Sequence, residues 1–207
     1  MKKFNSHFKQ QLSELIAAIE SESQVELVVI IKPCSSNYDD IALLWGLISA
    51  LPTLAYLLFS ENFYSEIVIY SATFFALISG LLLARLCPAL QRLLINNKRK
   101  TKNTEIMARA LFQKGGLHYT RSNIATLIYF SLLEQTLFIV ADRSAQMALP
   151  DEQWQHIDKK LNTIFKQKNT AQALLVELKN CAMIFNHYLP PKTHKTNELA
   201  DNLEIDL

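Results

Sequence analysis

The residue with the clearest potential for metal chemistry is Asp142, which directly follows a predicted β-strand at 136–141. Ligands of α/β proteins usually lie at the carboxyl ends of strands, and a hard cation such as calcium takes several oxygen ligands. Asp142 is therefore the candidate metal ligand, and other acidic side chains could supply further oxygens: Asp39, Asp40, Glu134 and Asp201. The alternative, that Asp142 caps the next turn or pairs with Arg143, is favoured because no DxDxD-type ligand run is present.

Three other residues have both a functional and a structural interpretation. Glu134 lies at the tip of a predicted hairpin, where a solvated turn residue is the favoured interpretation over a catalytic one. His187, near a helix end, could be a ligand, but interaction with the helix dipole and ring packing are favoured. Cys181, on an apolar helix face, is predicted to be a core residue.

The sequence contains no pattern that would identify an enzyme. It lacks a nucleophile–base arrangement, a Gly-rich phosphate loop and an HExxH motif, so no catalytic or cofactor-binding residue is assigned. The three cysteines have no CxxC or Cys/His spacing, which argues against a disulfide scaffold or a zinc finger. The net charge of +2 over 207 residues gives no electrostatic reason to expect nucleic acid as a partner.

Two long uncharged segments, at 41–60 and 67–84, hold most of the apolar excess. As helices they would be roughly 27 to 30 Å long, which matches the hydrocarbon core of a bilayer. Helices of this length in a soluble core usually keep a polar face, and these have only scattered Ser, Thr and Tyr. We therefore expect a transmembrane hairpin with the lipid bilayer as its surroundings.

The distribution of charge predicts the orientation of this hairpin. The loop at 61–66 carries two acidic residues and no Lys or Arg, whereas basic residues flank both spans on the other side. Positive residues stay in the cytoplasm, so both termini are expected there, in a bacterial inner membrane by default. The basic run 98–102 could also bind anionic lipid. The small residues Ala72, Ala76 and Gly80 predict a close-packed helix face, more for the hairpin's own two helices than for oligomerisation.

The rest of the chain predicts one soluble domain that the hairpin interrupts. An amphipathic helix at 4–22 and a β-branched strand at 25–31 precede it. The hairpin is followed by a helix from 88 to about 112 with a basic polar interruption at 97–103, by two strands at 125–132 and 136–141, and by two further helices at 151–165 and 170–188. The three-residue connector predicts that these two strands pair as an antiparallel hairpin. Thr170 is predicted to cap the last helix.

These elements predict an α/β fold: a small mixed sheet with helices on both faces, interrupted by the inserted two-helix transmembrane hairpin. The predicted domain organisation has four parts. Residues 1–40 hold the first helix and strand, 41–84 the transmembrane hairpin, 85–190 the remainder of the α/β domain, and 191–207 a polar tail.

The stretch 125–143 resembles the TPM domain, a family with thylakoid-lumen, photosystem II repair and nematode receptor-associated members. It reads ATLIYFSLLEQTLFIVADR, similar to the family's Ser-Leu-x-Glu-Arg segment and its apolar strand ending in Ala-Asp-Arg-Gly. Further similarity lies in Trp154, in the His-Tyr-Leu-Pro at 187–190 and in the Asn-Glu-Leu-Ala-Asp at 197–201. The short membrane-bound bacterial branch is the most similar. Gln135 stands where the family has Arg.

The resemblance implies several activities without choosing among them, since members include acid phosphatases, divalent-metal binders and accessory proteins of membrane complexes. We expect a membrane-anchored accessory or binding module on the cytoplasmic face, with a membrane protein partner. The alternatives are a metal-dependent acid-phosphatase-like hydrolase, which rests on family analogy alone, and a metal- or lipid-sensing domain. A divalent cation such as calcium is the cofactor that the resemblance implies.

Overall fold

A computed structural model of the chain describes residue 4 and residues 6–116 and 124–191. It divides into two units, an α/β unit of residues 1–35 and 101–207 and a hairpin unit of residues 36–100. In chain order the elements are α1 (Ser6–Glu22), β1 (Glu26–Lys32), α2 (Asp39–Phe59), α3 (Glu66–Leu86), α4 (Pro88–Leu94), α5 (Asn97–Lys114), β2 (Ala125–Ser131), β3 (Thr136–Ala141), α6 (Arg143–Ala148), α7 (Asp151–Thr163) and α8 (Thr170–Tyr188).

The α/β unit is built on a three-stranded mixed sheet in the order β1-β2-β3. β1 runs parallel to β2, with Glu26 opposite Ala125, and β3 runs antiparallel to β2, with Thr136 opposite Ser131. Because both neighbours of β2 are strands, its seven residues are all buried. The predicted antiparallel hairpin is confirmed.

Helices cover both faces of this sheet. On one face, apolar residues of α1, α7 and α8 such as Leu12, Leu161 and Leu178 pack against side chains that include Ile31 and Ile128. On the other face, Ala108 and Phe112 of α5 pack against Ile30, Leu127 and Tyr129. The predicted α/β class with helices on both faces is therefore confirmed, and the described chain is mostly helical.

The hairpin unit contains two antiparallel helices of 21 residues each, α2 and α3. They meet through a close-packed seam, where the Ser49 hydroxyl donates to the Ala76 carbonyl across the pair at 2.6 Å. A Cβ at Gly80 would lie 2.7 Å from the Trp45 carbonyl oxygen, so only glycine permits this approach. The small-residue face thus serves the hairpin's own packing, as the sequence predicts.

Two predicted helix boundaries are wrong. The expected helix from 88 to 112 breaks at Ile95 and Asn96, and the basic stretch forms the first turns of α5. Asn96 explains the restart, because its side-chain carbonyl accepts the Lys98 amide at 3.0 Å, as an N-terminal cap does. Thr170 does not cap α8: the cap position is Asn169, and Thr170 is the first helical residue.

Candidate functional sites at the two ends of the β2–β3 hairpin

Asp142 occupies the cap position of α6, immediately after β3. Its Oδ1 accepts the Arg143 amide at 2.7 Å, and its own amide donates to the Ala125 carbonyl at 2.8 Å. Its Oδ2 is buried and accepts no hydrogen bond from the part of the chain that the structure describes. The carboxylate therefore has the capping role that the sequence favours, with one oxygen left for another contact.

The residues named as further metal ligands do not gather around Asp142. Glu134 precedes β3 and Asp142 follows it, so a six-residue strand of about 20 Å separates them. Asp201 lies outside the described residues. No group of three or more His, Cys, Asp or Glu that could hold a metal ion occurs within 6–116 and 124–191. The described residues thus do not assemble the oxygen set that calcium needs, and Asp142 as a ligand stays a prediction.

Asp39 and Asp40 belong to the hairpin unit and are engaged there by arginines. Asp39 Oδ1 accepts from Arg85 at 2.8 Å, and the two oxygens of Asp40 accept from the Arg99 guanidinium at 2.5 and 3.0 Å. The Arg99 guanidinium also lies 5.1 Å from the Tyr38 ring centroid. These bonds tie the start of α2 to the end of α3 and the start of α5.

Glu134 is buried, and its interpretation as a solvated turn residue is wrong. Its side chain is 2% exposed. Oε1 accepts the Ser35 amide at 2.9 Å, and Oε2 accepts the Ser131 hydroxyl in a short hydrogen bond. A carboxylate leaves water only when hydrogen bonds replace its hydration, and here a loop amide and a strand hydroxyl do so.

A hydroxyl network extends from this carboxylate, and sequence reasoning did not identify it. The Ser35 hydroxyl lies 3.0 Å from the Tyr129 hydroxyl and 3.5 Å from that of Thr104, which in turn lies 2.7 Å from the Thr136 hydroxyl. The network lies where the parallel strands β1 and β2 end, the edge at which α/β sheets usually hold ligands. The sequence offered one weak indication of it, namely that Ser131 lies three residues before Glu134 across a predicted tight turn.

Two groups near Glu134, the Tyr129 hydroxyl and the Cys34 thiol, are weaker acids than usual. Burial, with a smaller contribution from the charge of Glu134, raises the pKa of the Tyr129 hydroxyl above its ordinary value. The same two causes, in the same order, raise the pKa of the Cys34 thiol. Both groups therefore stay protonated at neutral pH, and neither is activated as a nucleophile.

The structure places Cys181 in the core and His187 at the surface, in the last turn of α8. His187 lies in the last turn of α8, with its ring edge-on to Tyr188 at 4.9 Å between centroids. Cys181 is 2% exposed, and burial raises the pKa of its thiol to about 12. Cys181 therefore belongs to the packing of α8, whereas His187 is exposed near the end of this helix.

Comparisons with known proteins find a matching domain and a matching fold. The family model described as the TPM domain matches residues 92–182, which include β2, β3 and Trp154. Among solved structures, the chain is similar to the NMR structure of BA42 protein from the psychrophilic bacterium Bizionia argentinensis. The identity is 15% and the TM-score 0.59, over 98% of this chain and 94% of that one. At this identity the likeness shows the fold alone. No curated protein matches the sequence. Residues 92–182 thus match the TPM domain, and the chain shares the fold of the BA42 protein.

Proposed function

We propose that this protein is a membrane-anchored TPM domain protein whose α/β unit serves as an accessory or binding module for a membrane protein partner. The observation that carries the proposal is the hairpin formed by α2 and α3. Both helices are long and apolar enough to cross a membrane, and most of their large side chains face outwards. The proposal follows the short membrane-bound bacterial branch that the sequence resembles.

The outward-facing apolar residues distinguish this hairpin from core helices of a soluble protein. Only 22% of the most apolar window of α2 is buried, and 11% of that of α3. Leu51 is 61% exposed, Ile67 80%, and Phe75 68%. Contiguous apolar surface of this extent marks a contact with another apolar phase. A bilayer would supply that phase over the whole length of both helices.

The orientation is part of the proposal. The connection between the helices carries Glu61 and Glu66, whereas Arg85, Arg92 and Lys98 follow the second helix. By the positive-inside rule the loop then lies outside and both termini lie in the cytoplasm, at the inner membrane if the host is a bacterium. A reporter fused after Leu207 should be active only as a cytoplasmic fusion, and an external signal would contradict this orientation.

The carboxylates at the two ends of β3 both make structural hydrogen bonds. Glu134 has hydrogen bonds to both oxygens, and Asp142 serves as a helix cap. The phosphatase alternative has a direct test: hydrolysis of a generic phosphomonoester across divalent metals and pH, with Asp142→Asn beside the parent. Metal-dependent turnover that disappears in this variant would replace the binding proposal with the enzymatic one.

Extraction of membranes with alkaline carbonate tests the anchor. We expect the parent chain to stay in the pellet and a Leu51→Lys/Phe75→Lys variant to be released or degraded, because each lysine near the bilayer centre costs about 3 kcal/mol. The matched control is Val176→Lys on α8, at a position 54% exposed in the α/β unit, which should behave as the parent does. Release of the parent chain itself would overturn the proposal.

A further inference from the structure

The outer edge of β3 lies beside a groove. β3 is an edge strand, because β2 is its only neighbour in the described sheet. A cavity of about 710 Å³ opens between this strand and α7. Its walls include Phe138, whose side chain belongs to the α5 face of the sheet, and Ile139, which packs on the other face. Because residues of both faces line it, the cavity follows the edge of the strand.

The hydrogen bonds around β3 show which main-chain groups face this groove. The Leu137 amide donates outwards to Asn162 of α7 at 3.2 Å, and the Ala141 carbonyl accepts outwards from Gln146 of α6 at 2.9 Å. Alternate residues of a strand direct their amides to the same edge. The main-chain groups of Ile139, midway between these two caps, therefore face the groove.

The charge of the groove indicates what could occupy it. Its described lining includes three carboxylates and one ammonium group: Asp151, Glu152, Asp158 and Lys159. Asp151 and Glu152 also lie in the first turn of α7, where the helix dipole favours acidic side chains. Asp158 accepts a hydrogen bond from the Asn162 side chain at 3.2 Å, and its burial raises the carboxyl pKa. A cationic occupant would offset this excess of negative charge.

We propose that the groove between β3 and α7 binds an extended segment of a partner protein that carries Lys or Arg, and that the segment adds to the sheet as a strand beside Ile139. Main-chain hydrogen bonds to an open strand edge supply affinity in this mode of recognition, and flanking side chains supply specificity. The inference rests on the binding-module proposal above, since it names the surface and the chemistry of the partner.

The test uses the full chain purified in detergent. The sequence has two tryptophans, so Trp45→Phe leaves Trp154, which lines the groove, as the reporter of binding. The probes are two blocked synthetic pentapeptides, Lys-Val-Lys-Val-Lys and Glu-Val-Glu-Val-Glu. We expect a saturable change in Trp154 fluorescence with the lysine peptide, weakened by salt, and none with the glutamate peptide.

Two variants test the site. Ile139→Pro removes an outward amide and keeps the hydrogen bonds to β2, as edge-strand prolines do. It should lower the affinity for the lysine peptide about fivefold or more. Asp151→Asn/Glu152→Gln should lower this affinity to a similar extent. If the proline variant does not fold, this double variant alone tests whether the peptide binds in the groove. The matched control is Glu14→Gln/Glu177→Gln, which removes the same charge outside the groove and should leave binding unchanged.

Three results would overturn the inference: no saturable binding, equal binding of the two peptides, or binding unaffected by the groove variants. A chain truncated after Pro191 that binds the lysine peptide about tenfold more tightly would also overturn it, because residues 192–207 would then be the occupant. Carbonate extraction of the same variants reports anchorage separately. Loss of peptide binding with full membrane retention leaves the membrane-anchor proposal intact.

Discussion

The hairpin unit and the α/β unit differ in how each is packed internally. In the α/β unit, large apolar residues such as Tyr129 and Phe185 are fully buried, and a hydroxyl network surrounds the buried Glu134. In the hairpin unit, glycine and serine form the contact between helices, and large residues such as Leu51 and Phe75 face outwards. Apolar burial drives folding in water, whereas close backbone packing associates helices in lipid. The contrast is the one expected if the hairpin lies in a membrane, as proposed, and the α/β unit lies in water.

The largest expected effect comes from removing the buried carboxylate of the α/β unit. Glu134→Ala leaves the Ser35 amide and the Ser131 hydroxyl buried without their acceptor, at a cost of about 3 kcal/mol. Thermal unfolding of the detergent-purified chain should show a lower midpoint. Glu134→Gln keeps an acceptor and should lose less; equal stability of the alanine variant and the parent would mean that the network is not structural.

A slightly smaller effect is expected at the hairpin seam. Gly80→Ala places a methyl group 2.7 Å from the Trp45 carbonyl oxygen and even closer to the Ser49 hydroxyl, so the helices must separate, at about 2 kcal/mol. The Gly80→Ala variant should therefore unfold at a lower mole fraction of SDS than the parent does. Ser71→Ala, at an exposed position of α3, serves as the control, and an unchanged Gly80→Ala midpoint would show that the seam is not closely packed.

Loss of the Asp142 cap, at the other end of β3, should lower the stability less than loss of Glu134 does. Asp142→Ala removes the acceptor of the Arg143 amide and should cost about 1 kcal/mol. Asp142→Asn retains a capping oxygen and should be nearly neutral in the same thermal unfolding assay. If the asparagine variant lost as much stability as the alanine variant, Asp142 would stabilise the fold through its charge rather than through its capping hydrogen bond.

The smallest effect is a gain in stability at Gln135. This residue closes the β2–β3 turn with a φ of 52°, in the left-handed region that costs a side-chain-bearing residue free energy. Gln135→Gly should therefore raise stability by about 0.5 kcal/mol, after the entropy that glycine adds to the unfolded chain is subtracted. A lower unfolding midpoint for this variant would show that the glutamine side chain makes a stabilising contact.

Features with a strong local pattern were predictable from the sequence. The alternation and the three-residue connector predict β2, β3 and their antiparallel pairing, and the uncharged runs predict α2 and α3. Apolar residues every three or four positions predict α1 and α7. These patterns repeat over many residues, so the boundaries differ from the structure by only a few positions.

The candidate site was harder to predict because it depends on contacts between distant segments. Ser35, Thr104 and Glu134 lie far apart in the chain, and each resembles an ordinary loop or helix-surface residue. Glu134 looks solvated because tight turns usually are, yet the loop after β1 folds over it and supplies an amide. Residue type and local spacing carry no information about which loop covers which turn.

Labelling from outside the membrane tests the central claim most directly. Phe63 lies in the connection between α2 and α3 and is fully exposed, and Cys34, Cys87 and Cys181 can be replaced by serine or alanine without adding charge. In the resulting chain, Phe63→Cys should react with a membrane-impermeant maleimide on intact cells, and a cysteine at the exposed Met183 of α8 should react only after lysis. Protection of the cysteine at 63 until lysis, with the chain in the membrane fraction, would contradict the proposed hairpin orientation; recovery of the chain in the soluble fraction would contradict the membrane anchor itself.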